Sequence, residues 1–104
     1  MSLTRTEVAR TGRELAANLE RSGITREQAA DDLGFSARRL TETLRVGPAS
    51  DPADVWLLRD YLDRAIRERG DIPQAWTVLT DEARLRAARW FALRTAPTAH
   101  RHAS

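Results

Sequence analysis

Between Thr25 and Arg45 the chain gathers side chains suited to an anionic, hydrogen-bonding partner: Thr25, Arg26, Gln28, Ser36, Arg38, Arg39, Thr41 and Arg45. Arginine presents a planar fork of donors that matches paired acceptors on a phosphate or a guanine edge. Arg38 is the candidate base reader, through guanine O6 and N7. Thr41 suits a thymine methyl or a backbone oxygen, Glu42 could accept from cytosine N4, and Arg39 and Arg45 suit phosphates. Thr25, Arg26 and Gln28 open a helix, where free N–H groups and polar side chains can hold a phosphate. The same arginines with Glu42 also fit a solvated helix face laced by i, i+3 and i, i+4 charge pairs, and residue types alone leave both readings open.

Two short helices must position these groups. Thr25 with Gln28 has capping-box spacing, and Gly34 is a helix-ending residue of the left-handed type. Ser36 can cap the next helix, with Phe35 and Leu40 spaced as a hydrophobic staple. Ala30 supplies a small residue where two helices would cross, and Leu33, Phe35 and Leu40 supply the apolar anchors around the turn. The region of about 25–45 therefore has the spacing of a helix-turn-helix.

Helical periodicity continues on both sides. A first helix begins at Thr4, capped with Glu7, and its expected stripe is Val8, Gly12, Leu15, Ala16 and Leu19. Val46 to Pro52 reads as a loop, because two prolines and a glycine interrupt it. A fourth helix over about Ala53–Arg69 carries a broad apolar face, which predicts packing on two sides. After a connector over 72–79, a last helix is expected from Thr80 or Asp81 to about Arg94, burying Leu85, Ala88, Phe91 and Ala92. The expectation is an all-α, five-helix single domain over residues 1–95, with a small polar tail over 96–104.

Composition narrows the functional classes. The chain has 104 residues, 41% apolar and 31% charged, with a net charge of +2. All seventeen basic residues are arginine, a pattern that GC-rich coding bias explains better than phosphate recognition does. Residues 35–50 carry three arginines against Glu42, and 72–104 carry five against two acids. No cysteine is present, so disulfides and thiolate metal sites are excluded. The two histidines, His100 and His102, lie in the tail without a partner ligand, and the glycines are isolated. No catalytic residues, metal or cofactor are expected, and an enzyme is not the expected reading. The opening MSLTRTEVAR has no apolar h-region and no run is long enough to span a bilayer, so the expected setting is cytoplasmic, away from membrane.

With these residues in view, the chain resembles helix-turn-helix domains of the lambda-repressor-like class over residues 4–66, with an additional C-terminal helix. The segments SLTRTE, ELAANLERSGIT and DVWLLRDYL, with the late Trp90–Phe91 pair, are similar to a family of short uncharacterised bacterial proteins over most of residues 2–93. Two positions depart from the helix-turn-helix pattern. Thr43 stands where a branched apolar residue is usual, and Ala29 where a larger one is. The resemblance implies a small bacterial transcriptional regulator that binds double-stranded DNA as a homodimer, with its third helix in the major groove. The alternative is a helix-turn-helix-shaped protein-interaction or self-association module, with Trp76, Trp90 and Phe91 as the partner surface.

Overall fold

A computed structural model describes residues 3–48, 50–89 and 97. Among the described residues there are five α-helices and no strand: α1 Arg5–Ser22, α2 Arg26–Leu33, α3 Ala37–Arg45, α4 Pro52–Glu68 and α5 Asp81–Ala87. Each helix starts where a side chain can accept a free backbone N–H. Thr4 and Thr25 form reciprocal capping boxes with Glu7 and Gln28, while Ser36, Asp51 and Thr80 cap α3, α4 and α5. Pro52 opens α4, at a position whose N–H would have no helical partner.

α4 is the central element. Val55, Trp56, Leu57, Leu58, Tyr61, Leu62, Ala65 and Ile66 are all buried along it. Leu15 of α1, Ala29 and Leu33 of α2, Phe35 at the turn and Leu40 of α3 join the same core. Each of the larger aliphatic and phenylalanine side chains, once buried, contributes about 1.5–3 kcal/mol, so the core that α1, α2 and α3 share with α4 supplies most of the driving force. Gly12 lets α1 pass close to the end of α3. A Cβ there would lie 3.4 Å from the Leu44 carbonyl oxygen.

Of the expected α1 stripe, Leu15 is buried and Val8 and Leu19 pack half-buried against the core, but the fully buried face is more polar than expected. It consists of Thr11, Glu14, Leu15, Asn18 and Ser22, and Ala16 is exposed. Two of these polar side chains clasp the connector between α4 and α5. The Asn18 amide donates to the Gln74 carbonyl at 3.1 Å, and its oxygen accepts the Gln74 N–H at 2.7 Å. Glu14 accepts both the N–H of Thr77, at 2.9 Å, and its hydroxyl. Polar groups with partners of this kind can be buried without the penalty of an unmet hydrogen bond.

α5 ends at Ala87, with Ala88 and Arg89 in a turn, and Leu85 and Ala88 are exposed instead of buried; the expected stretch from Trp90 to about Arg94 lies outside the described residues. Ala83 and Ala87, one turn apart, are the residues it packs against the core. Leu85 lies two positions from each, on the far side of the helix. Ion pairs supply the rest of the attachment. Arg59 of α4, itself buried, donates to the Leu79 carbonyl, to Asp60 and to Asp81, while Arg84 of α5 reaches back to Asp60 at 2.9 Å. The expected burial of Phe91 and Ala92 lies outside the described residues.

Candidate nucleic-acid interface

The turn between α2 and α3 is built by backbone hydrogen bonds around Gly34. With Gly34 at φ 70°, its N–H donates to the Asp31 carbonyl, and the Phe35 N–H donates to the Ala30 carbonyl at 2.8 Å. This is a Schellman ending, which stops α2 abruptly and turns the chain. Phe35 and Leu33 then fall into the core, and Ser36 begins α3.

The two departures from the usual pattern are accommodated. Ala29 is completely buried, and a small side chain there lets α2 sit close to its neighbours. Thr43 is buried too, but its hydroxyl donates to the Arg39 carbonyl at 2.7 Å, one turn back, so no polar group is stranded. With Leu40 and Thr43 inside, α3 turns Arg38 and Arg45 into solvent, with Thr41 and Glu42 half-buried between them. Neither Arg38 nor Arg45 makes an ion pair with another described residue.

The other site candidates are distributed unevenly. Thr25 and Gln28 are engaged with each other in the capping box, and the Ser36 hydroxyl accepts the Arg39 N–H. These side chains define where the helices start. Arg26, in the first turn of α2, reaches across the motif and donates through Nη2 to the Thr41 hydroxyl at 2.8 Å. That bond fixes the start of α2 against the outward row of α3.

Arg39 has a different surrounding. Its Nε and Nη2 donate to the two carboxylate oxygens of Asp54 at 2.8 and 2.7 Å, and its guanidinium carbon lies 4.2 Å from the centre of the Phe35 ring. The hydrogen bond to Asp54 holds the Arg39 guanidinium above the ordinary arginine range, against a smaller opposing effect of burial. Asp54 is buried at the first turn of α4, so this bidentate pair ties α3 to α4. Asp54 was invisible as a site residue in the sequence, because fifteen positions separate it from Arg39 and no local motif links them.

Asp32 is half-buried and accepts the Tyr61 hydroxyl at 2.6 Å. Burial first, and then the bond to Asp32, push the Tyr61 phenol well above the usual tyrosine range. Trp76 is half-buried against α4. Its indole N–H donates to Asp63 at 2.9 Å, and the Arg59 guanidinium lies 5.5 Å from its ring centre. Trp90 and Phe91 lie outside the described residues.

A family model described as an uncharacterized protein conserved in bacteria (DUF2316) matches residues 1–92. The chain belongs to this family. In this member of the family, the matched stretch takes in all five helices and every contact of the α2–α3 region described above. No curated protein and no solved structure matches the chain. No helix among the described residues is long and apolar enough to cross a membrane.

Proposed function

We propose that this protein binds double-stranded DNA, as a dimeric bacterial transcriptional regulator that acts by occupying its site. The lambda-repressor-like helix-turn-helix assignment is part of the same proposal. The observation that carries it is the outward row of α3. Arg38, Thr41 and Arg45 share one face at i, i+3 and i+7, while Leu40 and Thr43 hold the opposite face in the core. A capped helix leaving a tight turn with such a row is suited to entering the major groove by its N-terminal half. α2 begins beside that row, where its first N–H groups can take a phosphate. Two copies with their α3 helices about 34 Å apart would address successive major grooves on one side of the duplex.

The test is fluorescence-anisotropy binding to mixed duplex DNA from low to physiological salt. Affinity should fall steeply as salt rises, and Arg38→Ala and Arg45→Ala should weaken it. A folded protein that binds no duplex at low salt would sink the reading.

A second reading, as a protein-interaction or self-association module, is favoured by a different region. Leu85 is 70% exposed on α5. On the other side of α5, a groove of about 980 Å³ is lined by Val8, Val46, Pro52, Trp56, Leu79 and Ala83. Leu85→Glu separates the two readings. It should leave DNA affinity per subunit intact if α3 is the working surface, and abolish association if α5 is.

A further inference from the structure

Resting on the DNA-binding reading above, we propose that Arg26 of α2 reads a base, with Thr41 as its positioning residue. Arg26 and Arg38 then select neighbouring guanines in each half-site, with Arg45, at the last turn of α3, left to a phosphate. Thr41 stands three residues after Arg38 and four before Arg45, at the middle of the outward row. The Arg26 guanidinium is bonded to the hydroxyl of that residue at 2.8 Å, so a further arginine head is brought to the middle of the row from another helix. From Arg38 to Arg45 the helix rises about 10.5 Å, and stacked bases are spaced about 3.4 Å apart, so the row spans roughly three base-pair steps.

The Arg26 and Arg38 guanidinium groups call for paired acceptors, and O6 with N7 of guanine is the major-groove edge that offers them. Thr41 takes one of the five N–H donors of Arg26, so four remain for a base edge. The bond also restricts the long side chain before any partner arrives, which lowers the ordering cost of binding. Glu42, the acid of this face, has its carboxylate near Gly47 in the loop after α3, with an oxygen 3.7 Å from where a Cβ on that glycine would be. Ser36 and Ala37 are small, so the start of α3 can approach a groove floor closely. Its bond to Thr41 points the Arg26 head toward the outward row of α3, the face that would meet base edges.

The experiment is selection from random duplexes by the wild-type protein, Arg26→Lys, Arg26→Ala and Thr41→Val, followed by anisotropy on the selected duplex with single guanines replaced by 7-deazaguanine. Lysine keeps the charge but loses the planar fork, so it separates base reading from phosphate neutralisation. The wild type should enrich neighbouring guanines. Arg26→Lys should lose discrimination at one of them by roughly ten- to a hundredfold, with the salt slope unchanged. Removing N7 of that guanine should weaken the wild type and leave Arg26→Lys unaffected. Thr41→Val should relax the same position by a smaller factor. Undiminished discrimination at every selected guanine in both Arg26→Lys and Arg26→Ala would overturn the proposal. Salt-dependent binding with no selected sequence would also overturn it, while leaving DNA binding in place. No binding by the folded wild type would remove both.

Discussion

Arginine does opposite things at the two ends of this molecule. At the α4–α5 end, Arg59 is 7% exposed, and its donors are spent on a carbonyl and two carboxylates. At the α2–α3 end, Arg38 and Arg45 are exposed and make no ion pair with another described residue, and Arg26 donates to a hydroxyl. Arg39 lies between these extremes, exposed on one edge and paired with a buried acid on the other. The difference teaches that an arginine-rich sequence is not in itself a binding surface. Whether a guanidinium is architecture or is available depends on whether a buried acceptor needs it. Arg38 and Arg45 of α3 are informative because no ion pair among the described residues engages them.

Substitution at the architectural end should break this contrast most visibly. Arg59→Ala leaves the Leu79 carbonyl and the Asp60 carboxylate short of a partner and removes a cation over Trp76. A loss of about 3 kcal/mol is expected in urea unfolding, with little recovery by lysine. A loss below about 0.5 kcal/mol, typical of surface positions, would mean that the pairs are ornamental. Asn18→Ala comes next, at about 2 kcal/mol, because it strands the N–H and carbonyl of Gln74 together. Amide exchange at Gln74 should accelerate more than exchange within α3.

These two sites also mark what can be read in the sequence. The helix starts at Thr4, Thr25 and Ser36 are legible because a cap is a contact over three residues. The turn at Gly34 and the outward row of α3 are legible for the same reason, since helical periodicity fixes which side chains share a face. The buried face of α1 is not. Glu14 and Asn18 are buried because their partners lie 63 and 56 residues away, and spacing carries no trace of that. Leu85 fails in the opposite sense. It is apolar enough for a core, but Ala83 and Ala87 already give α5 its contact. In the candidate site the members of the row are legible, whereas the Arg26–Thr41 bond and the capture of Arg39 by Asp54 follow from how the helices cross.

The intermediate case sharpens the comparison. Arg39→Ala should cost about 1–2 kcal/mol, less than Arg59→Ala, because solvent screens the exposed edge of the pair. Asp54→Asn in the same background should show coupling in a double-mutant cycle, and additive losses would deny the pair. Tyr61 offers a pH readout on the core beside the motif. Its folded pKa is raised, so the unfolded chain gives up the phenolic proton first. The stabilisation is therefore full below about pH 10 and falls as pH rises beyond it, by at most about 1.4 kcal/mol per pH unit. This is the only tyrosine, so tyrosinate absorbance reports it directly, and Tyr61→Phe should flatten that part of the stability profile. A phenol that titrates near 10 in the folded protein would contradict the buried bond to Asp32.

The smallest effect on stability is expected where the functional argument is strongest. Arg38→Ala removes a side chain that faces water and pairs with no described carboxylate, so unfolding should change by no more than about 0.5 kcal/mol. Duplex affinity should fall in the same variant, and the slope of log affinity against log salt should shrink if the contact is to phosphate, by about one. If the contact is to guanine, affinity falls while the salt slope changes less and sequence preference relaxes at one position. The pairing of a silent stability change with a binding defect is the discriminating result, because Arg59→Ala should show the reverse: a large stability loss, with duplex affinity intact below its melting temperature. Were Arg38→Ala to destabilise the fold as Arg59→Ala does, the outward row would be architecture as well, and the contrast between the two ends would disappear.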